Sequence, residues 1–313
     1  MNRTMNRLSW AAMAALAVTA SLGAQGRGQA PAPAAPPPPD FSKVEIKTTK
    51  IGTNFYTLEG QGGTIGALVG PDGVFLVDSQ FAPLTDKIVA AVKQISDGRI
   101  RFLVNTHVHG DHTGGNENLG KLGVVIFARP ELRARLAKPS PAANGTTPPG
   151  APPAALPMVT YNSPVTVHMN GEEIRLIPVP AAHTDGDTMV RFPGQDVLMM
   201  GDFFRTVGYP NIDRTNGGSL KGMVDGLQAA IDNTTPTTKV VPGHGPITDR
   251  AGIAAHRDMI IALRDKVAPL VQQGKTLEEV VASKPTLAFD AKVPMPGTTG
   301  DRFVSQLYAE LKK

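Results

Sequence analysis

The sequence predicts a layered fold of the α/β (α+β) class. Strand-like and helix-like runs alternate in blocks along the 313 residues, as they do in domains built from packed layers. Asn170-Gly171 stands between two apolar runs, a two-residue hairpin signal that calls for antiparallel pairing. Four strong apolar runs each end in histidine or aspartate, the arrangement of a sheet that aims short loops at one site.

The elements follow in order. Strands are expected at Phe55 to Glu59, Thr64 to Val69 and Val74 to Asp78, the last two joined by the turn Gly70-Pro71-Asp72-Gly73. Leu84 to Ile95 reads as a helix, because Leu84, Ile88, Val89, Val92 and Ile95 recur at helical spacing. Residues 138–157 hold seven prolines and no apolar periodicity, which fits a surface loop or a domain boundary equally. Val165 to Met169 and Glu173 to Val179 form the hairpin arms. Helices are expected at about 219–232 and 250–273, with shorter ones near 277–284 and 301–311. No internal repeat of short period is present.

The chain opens differently. Arg3 and Arg7 precede an apolar run of 15 residues, Leu8 to Leu22, and small residues follow at Gly23 and Ala24. That order is the pattern of a secretory signal over residues 1–24, cleaved after Ala20 or Ala24; a membrane span would need about 20 apolar residues. Residues 25–40 are a Pro/Ala-rich linker, and 41–313 the folded domain. Export to the periplasm or beyond is therefore expected, with no stable membrane insertion after cleavage. The formal charge of +4 falls to +2 once Arg3 and Arg7 are removed, and no basic cluster suggests a nucleic-acid partner. The absence of cysteine excludes disulfides, thiolate nucleophiles and thiolate metal ligands, so chemistry must come from nitrogen and oxygen groups.

Those groups are concentrated. "NTHVHGDHTGG" brings His107, His109, Asp111 and His112 together after the run "RFLV". "IRLIPVPAAH" leads to His183, "DVLMMGD" to Asp202 and "KVVPGHG" to His244. Glycines beside them (Gly110, Gly201, Gly243, Gly245) are expected to let backbone pass close to a crowded site. Five imidazoles and two carboxylates exceed what one catalytic zinc uses, since such an ion takes three protein ligands and keeps one position open. Two ions about 3.5–4 Å apart, sharing a water or hydroxide, would use them all. Zinc suits the donors, and iron or manganese would also bind them. Asp78, after "VFLV", is expected to support the metal loop as a hydrogen-bond acceptor rather than to bind metal. His168, beside the hairpin turn, and His256, on a helix, read as ordinary packed or surface residues. "GQGGTIG" at 60–66 resembles a dinucleotide fingerprint, but a strand follows it where a helix is required. No nucleophile elbow surrounds any serine.

These residues resemble the metallo-β-lactamase superfamily across roughly residues 50–250. "HVHGDH" is similar to its HxHxDH signature, "AHTDGD" to the segment of its third metal histidine, "GD" at 201–202 to its bridging aspartate and "PGHG" to its last ligand. The resemblance implies a four-layer αββα sandwich with the metals at one edge. It implies that His107, His109 and His183 hold one ion, that Asp111, His112 and His244 hold the other, and that Asp202 bridges them. Many zinc β-lactamases carry cysteine where Asp202 stands, so the ligand set is more similar to that of glyoxalase II and lactonase relatives. Arg205 stands where quorum-quenching lactonases carry tyrosine. It resembles the lysine with which many zinc β-lactamases grip a substrate carboxylate, although a surface charge or salt bridge fits equally.

The combined expectation is an exported enzyme with two Zn²⁺ per chain, whose bridging hydroxide cleaves a small amide, ester or thioester, β-lactams included. Asp111 would orient the nucleophile and relay a proton. The competing expectations are a lactonase or thioesterase, a mononuclear-iron sulfur dioxygenase, and a metal-binding protein without turnover. Val207 to Gly218 and residues 60–66 are expected to border the cleft. The partner is a small-molecule substrate; substrate identity and oligomeric state are not encoded in any motif.

Overall fold

The computed structural model describes residues 40–139 and 147–312. The expected signal segment and nearly all of the linker lie outside them, as do residues 140–146 of the Pro-rich loop. Within the unit Asp40–Lys313, twelve described strands form two sheets. The first sheet has the order β1 to β7: β1 (Lys47–Lys50), β2 (Phe55–Glu59), β3 (Ile65–Gly70), β4 (Gly73–Val77), β5 (Ile100–Val104), β6 (Val125–Ala128) and β7 (Val159–Thr160). The second has the order β12-β11-β10-β9-β8, built from β8 (Val165–Met169), β9 (Glu172–Pro178), β10 (Thr188–Phe192), β11 (Val197–Met199) and β12 (Lys239–Val241).

Two layers of aromatic and branched side chains join the sheets face to face. Alternation along β4 sends Phe75 and Val77 inward to meet Ile174, Leu176, Val190, Phe192 and Val197 of the second sheet. The rings of Phe55 and Phe192 lie 4.6 Å apart, and Phe75 stands edge-on to Phe192 at 6.3 Å. The other side chains of β4, Val74 and Leu76, pack with Ile88 and Val92 of helix α1 (Thr85–Ile95). On the far side, Met189, Leu198 and Val240 pack against helices of the second half. These are α5 (Leu220–Asp232), α6 (Arg250–Gln272), α7 (Leu277–Ala282) and α9 (Gly300–Leu311). The layers therefore run helix, sheet, sheet, helix. This is the αββα sandwich, and it explains why β3, β4 and β10 are buried along nearly their whole length.

Helix starts follow capping chemistry. Ser219, Asp249 and Thr299 accept hydrogen bonds from the backbone N–H of Gly222, Gly252 and Arg302, and Thr276 with Glu279 forms a reciprocal capping box. The expected hairpin forms at Asn170-Gly171, whose φ values of 56° and 72° suit a type I′ turn. The expected strands and long helices agree with the structure to within a residue or two. Leu84 ends a short 3₁₀ turn, Ala82–Leu84, that precedes α1. The sequence reading missed the polar edge strand β1, the two-residue β7, the interior strands β6 and β10, and four short helices: α2 (Gly110–Thr113), α3 (Asn116–Lys121), α4 (Pro130–Leu136) and α8 (Leu287–Asp290). Among the described residues no helix is long and apolar enough to cross a membrane.

Phe192 is wholly buried where three aromatic rings meet between the sheets. Phe192→Ala is expected to cost about 3–5 kcal/mol of stability, read as a lower denaturant midpoint at unchanged slope.

Candidate metal centre

Strand direction brings the chemistry to one edge. In the first sheet β4 and β5 are parallel, so Asp78 and the His107–His112 segment emerge at the same end. In the second, β9 and β11 both run antiparallel to β10, and β12 runs parallel to β11. Their carboxyl ends therefore deliver His183, Asp202 and His244 together.

One group of donors comprises His107, His109, His183 and Asp202, and another Asp111, His112 and His244; within each group the ligand atoms lie within 4.8 Å of one another. His109 Nδ1 stands 3.1 Å from His107 Nε2 and 3.0 Å from His183 Nε2. In the second group, His244 Nε2 is 3.1 Å and His112 Nε2 3.7 Å from Asp111 Oδ2. Asp202 faces both. Its Oδ1 lies 3.2 Å from His112 Nε2 and 3.3 Å from His244 Nε2, while Oδ2 lies 3.9 Å from His183 Nε2.

This geometry fits cations. Ligand atoms about 2.0–2.1 Å from a shared ion stand about 3.4 Å apart along a tetrahedral edge, close to the spacings here. Asp202 Oδ1 and His112 Nε2 are buried polar atoms without a hydrogen-bond partner, which a shared cation would satisfy.

The ring nitrogens facing away from the donor clusters are anchored. His112 Nδ1 lies 2.7 Å from Asp78 Oδ2, and Asp78 also accepts from Thr106 N and Thr106 Oγ1, both at 2.7 Å. His109 Nε2 meets Asp213 Oδ2 at 2.7 Å, and His183 Nδ1 meets the Asn211 carbonyl at 2.6 Å. Such partners fix ring orientation and raise ligand basicity. Asp187 fixes the His183 loop by accepting from the backbone N–H of His183 and Thr184; burial pushes its carboxyl up to about 7 against these hydrogen bonds. Asp78 thus stands where the sequence suggested, in hydrogen-bond contact with the metal loop. Asp213, Asn211 and Asp187 were missed. Asp213 sits in an aperiodic loop, and nothing local announces that its carboxylate reaches a histidine 104 residues away.

Two glycines make room. A Cβ on Gly243 would stand 2.0 Å from Asp202 Oδ1, and one on Gly63 would stand 2.1 Å from the His112 ring. Gly110, also expected to be crowded, faces open space.

In the metal-free chain the two groups differ electrostatically. Burial, reinforced by neighbouring imidazoles, holds His107 well below its ordinary value, and burial lowers His183 to about 4. Burial opposes protonation of His112 and His244 too, but carboxylates outweigh it. Asp78 and Asp202 hold His112 well above the ordinary value, and Asp111 and Asp202 raise His244 to about 9.

The family model described as "Metallo-beta-lactamase superfamily" matches residues 58–254. The chain belongs to the metallo-β-lactamase superfamily. Its His/Asp cluster and its family imply use of a divalent metal. A type 2 metallo-β-lactamase of Bacillus cereus is 23% identical over 185 residues, covering 59% of this chain and 67% of the relative. Among solved structures, a metallo-β-lactamase from Pontibacter korlensis superposes with TM-score 0.56 at 21% identity, over 69% of this chain and 99% of that one. The sec-alkylsulfatase Pisa1 from Pseudomonas sp. gives TM-score 0.63 at 17% identity, over 85% of this chain and 50% of the sulfatase. At these identities the superpositions speak for the superfamily fold.

The remaining expected residues fall as follows. Arg205 is mostly buried, with Nη2 3.4 Å from Asp202 Oδ2 and Nη1 donating to Thr298 Oγ1 at 3.1 Å. His168 is exposed on β8, while His256 is buried against the Phe204 ring. Both expected loops border the site. Gly60, Gly62 and Thr64 line a depression with His244, and Asn211 to Thr215 line another with His109.

Asp213→Asn is expected to weaken metal uptake roughly 10–100-fold by loosening His109. Competition against a chromophoric chelator reads this directly. Unchanged affinity would show that His109 is oriented without Asp213.

Proposed function

We propose that this superfamily member is an exported dinuclear zinc hydrolase that cleaves a small amide, ester or thioester, with β-lactams among its candidate substrates. The observation that carries the reading is Asp202, a single carboxylate with one oxygen toward His112 and His244 and the other toward His183. His107, His109 and His183 would hold one ion, Asp111, His112 and His244 the second, and Asp202 would span them. Zinc suits nitrogen and oxygen donors, although iron and manganese accept the same set. Bound there, the ions would lower the pKa of water toward about 7 and polarise the scissile carbonyl.

The chain's own residues do the rest. Asp111, partly exposed beside His244, would orient the attacking water and take up its proton. Asp213 and Asn211 keep His109 and His183 turned toward the centre. Arg205, alongside Asp202, is placed to attract an anionic group of the substrate. A lactonase or thioesterase is the second reading, supported by Asp202 standing where many zinc β-lactamases carry cysteine. Export rests on the pattern of residues 1–24.

The test combines elemental analysis with a panel of a chromogenic cephalosporin, a lactone, a thioester and a sulfate ester. Two zincs per chain are expected, with hydrolysis abolished by chelator and by His109→Ala. One iron per chain would replace the proposal with redox chemistry, and a zinc-loaded protein inert on the whole panel would overturn it.

Metal uptake should also release protons. His112 and His244 carry raised values and are protonated near pH 7 in the metal-free chain, whereas His107 and His183 are already neutral. Ligands must be deprotonated to bind, so affinity at the Asp111 group should rise with pH through about 9, where His244 is half deprotonated. Calorimetry in two buffers of different ionisation enthalpy should show proton release at pH 7; none would count against His112 and His244 as ligands.

A further inference from the structure

The loop that carries His183 and the turn that carries Asp213 meet at Arg135 of α4. Its Nε donates to Asp185 Oδ1 at 3.0 Å and its Nη2 to Asp185 Oδ2, a two-pronged contact two residues beyond His183. Its Nη1 faces Asn216 Oδ1 at 3.3 Å and the Thr215 carbonyl at 3.4 Å. Asn216 in turn donates from Nδ2 to Asp213 Oδ2 at 2.7 Å, and that same oxygen meets His109 Nε2 at 2.7 Å. Backbone bonds cross the junction as well. Asp185 N donates to the Asn216 carbonyl and Asp213 N to the His183 carbonyl, both at 2.9 Å.

We propose that Arg135 is a positioning residue for the metal centre, acting through Asn216 and Asp213 on His109. The guanidinium carries only donors and the Asp213 carboxylate only acceptors. Between them the Asn216 amide can face one way, oxygen toward Arg135 and nitrogen toward Asp213. Without the guanidinium the amide oxygen loses this donor, the amide is free to turn, and Asp213 is steered less firmly toward His109. The Asp185 contact sets the plane of the guanidinium, because a rigid fork fits two carboxylate oxygens where lysine offers only a point charge. The pair is part-buried, with side-chain exposures of 30% and 28%, so the Asp185 carboxylate left behind by a substitution keeps access to water and the fold tolerates the change. This role rests on His109 being a ligand, as in the proposed function, and extends the centre to a helix that carries no ligand motif.

The test compares zinc affinity, by competition with a chromophoric chelator, for the full chain and for Arg135→Gln, Arg135→Lys, Asp213→Asn and the double variant Arg135→Gln/Asp213→Asn. Each single Arg135 variant should keep a cooperative unfolding transition and lower one stepwise zinc affinity roughly 3–10-fold, less than the about 10–100-fold usual for a direct partner of a ligand. The double variant should lose no more than Asp213→Asn alone, because both changes act along one chain of contacts. In the zinc-loaded protein the His109 Nε2–H should give a slowly exchanging proton NMR signal, assigned by its absence in His109→Ala, that broadens or vanishes in Arg135→Gln. Unchanged affinity or an undiminished signal in Arg135→Gln overturns the assignment. So does full affinity in Arg135→Lys, since charge alone would then suffice, and so do losses that multiply in the double variant, which would mark a general loosening rather than a path through Asp213. If His109→Ala leaves zinc uptake intact, the ligand set fails and the positioning role with it. If it abolishes uptake at one position while Arg135→Gln binds as the parent does, only the positioning role falls.

Discussion

The centre depends on a buried carboxylate held between groups delivered by two different sheets. Asp202 can face His112, His244 and His183 at 3.2–3.9 Å only if β11 and β12 keep their register beside the loop that follows β5. That register comes from the inter-sheet core, where Phe55, Phe75 and Phe192 lock the layers. It also needs backbone without side chains at Gly243, where a methyl group would occupy the place of the Asp202 oxygen. Packing and chemistry are therefore one constraint: any movement between the sheets is movement between the donors.

Within that constraint the two donor groups are prepared differently. Around His183 the chain supplies a backbone carbonyl and burial, so the ring stays neutral and ready to coordinate. Around His112 it supplies the Asp78 carboxylate on one side and Asp202 on the other, which favour imidazolium while no cation is bound. Protons thus occupy the positive places at the Asp111 group in the metal-free chain. A buried cluster of carboxylates with no counter-charge would be costly, and this arrangement avoids it.

Much of this was legible in the sequence, for identifiable reasons. Runs such as "RFLVNTH" and "DVLMMGD" combine a buried apolar strand with a polar end, and those signals survive without tertiary context. The Asn170-Gly171 turn was legible because few residue pairs adopt two positive φ angles readily. Short, polar or exposed elements were not. The strand β1 reads Lys-Thr-Thr-Lys and is defined only by pairing with β2. The helices α2 and α3 lie in a glycine-rich run whose amplitude is too short for periodicity to register. Asp213 was invisible for another reason: its local role is to accept from Asn216 N, an ordinary turn contact, and its reach to His109 is purely tertiary.

The segment beyond the family match shows how far that tertiary support extends. Residues after 254 contribute no proposed ligand, yet they hold the loop that orients two of them. Gln306 of α9 accepts from Ile212 N at 3.0 Å and donates to Asn211 Oδ1 at 2.8 Å, directly beside the carbonyl that anchors His183. The backbone oxygens of Pro294 and Thr298 take the N–H groups of Gly208 and Tyr209, both at 2.7 Å, and Thr298 Oγ1 takes Arg205. A loop that runs from Arg205 to Asp213 without regular structure would otherwise open at little cost, because its own backbone groups have few partners. Bonded at several points to the C-terminal segment, it cannot shift without breaking those contacts together. Orientation of His109 and His183 is therefore a property of the whole unit, including elements that no ligand motif marks.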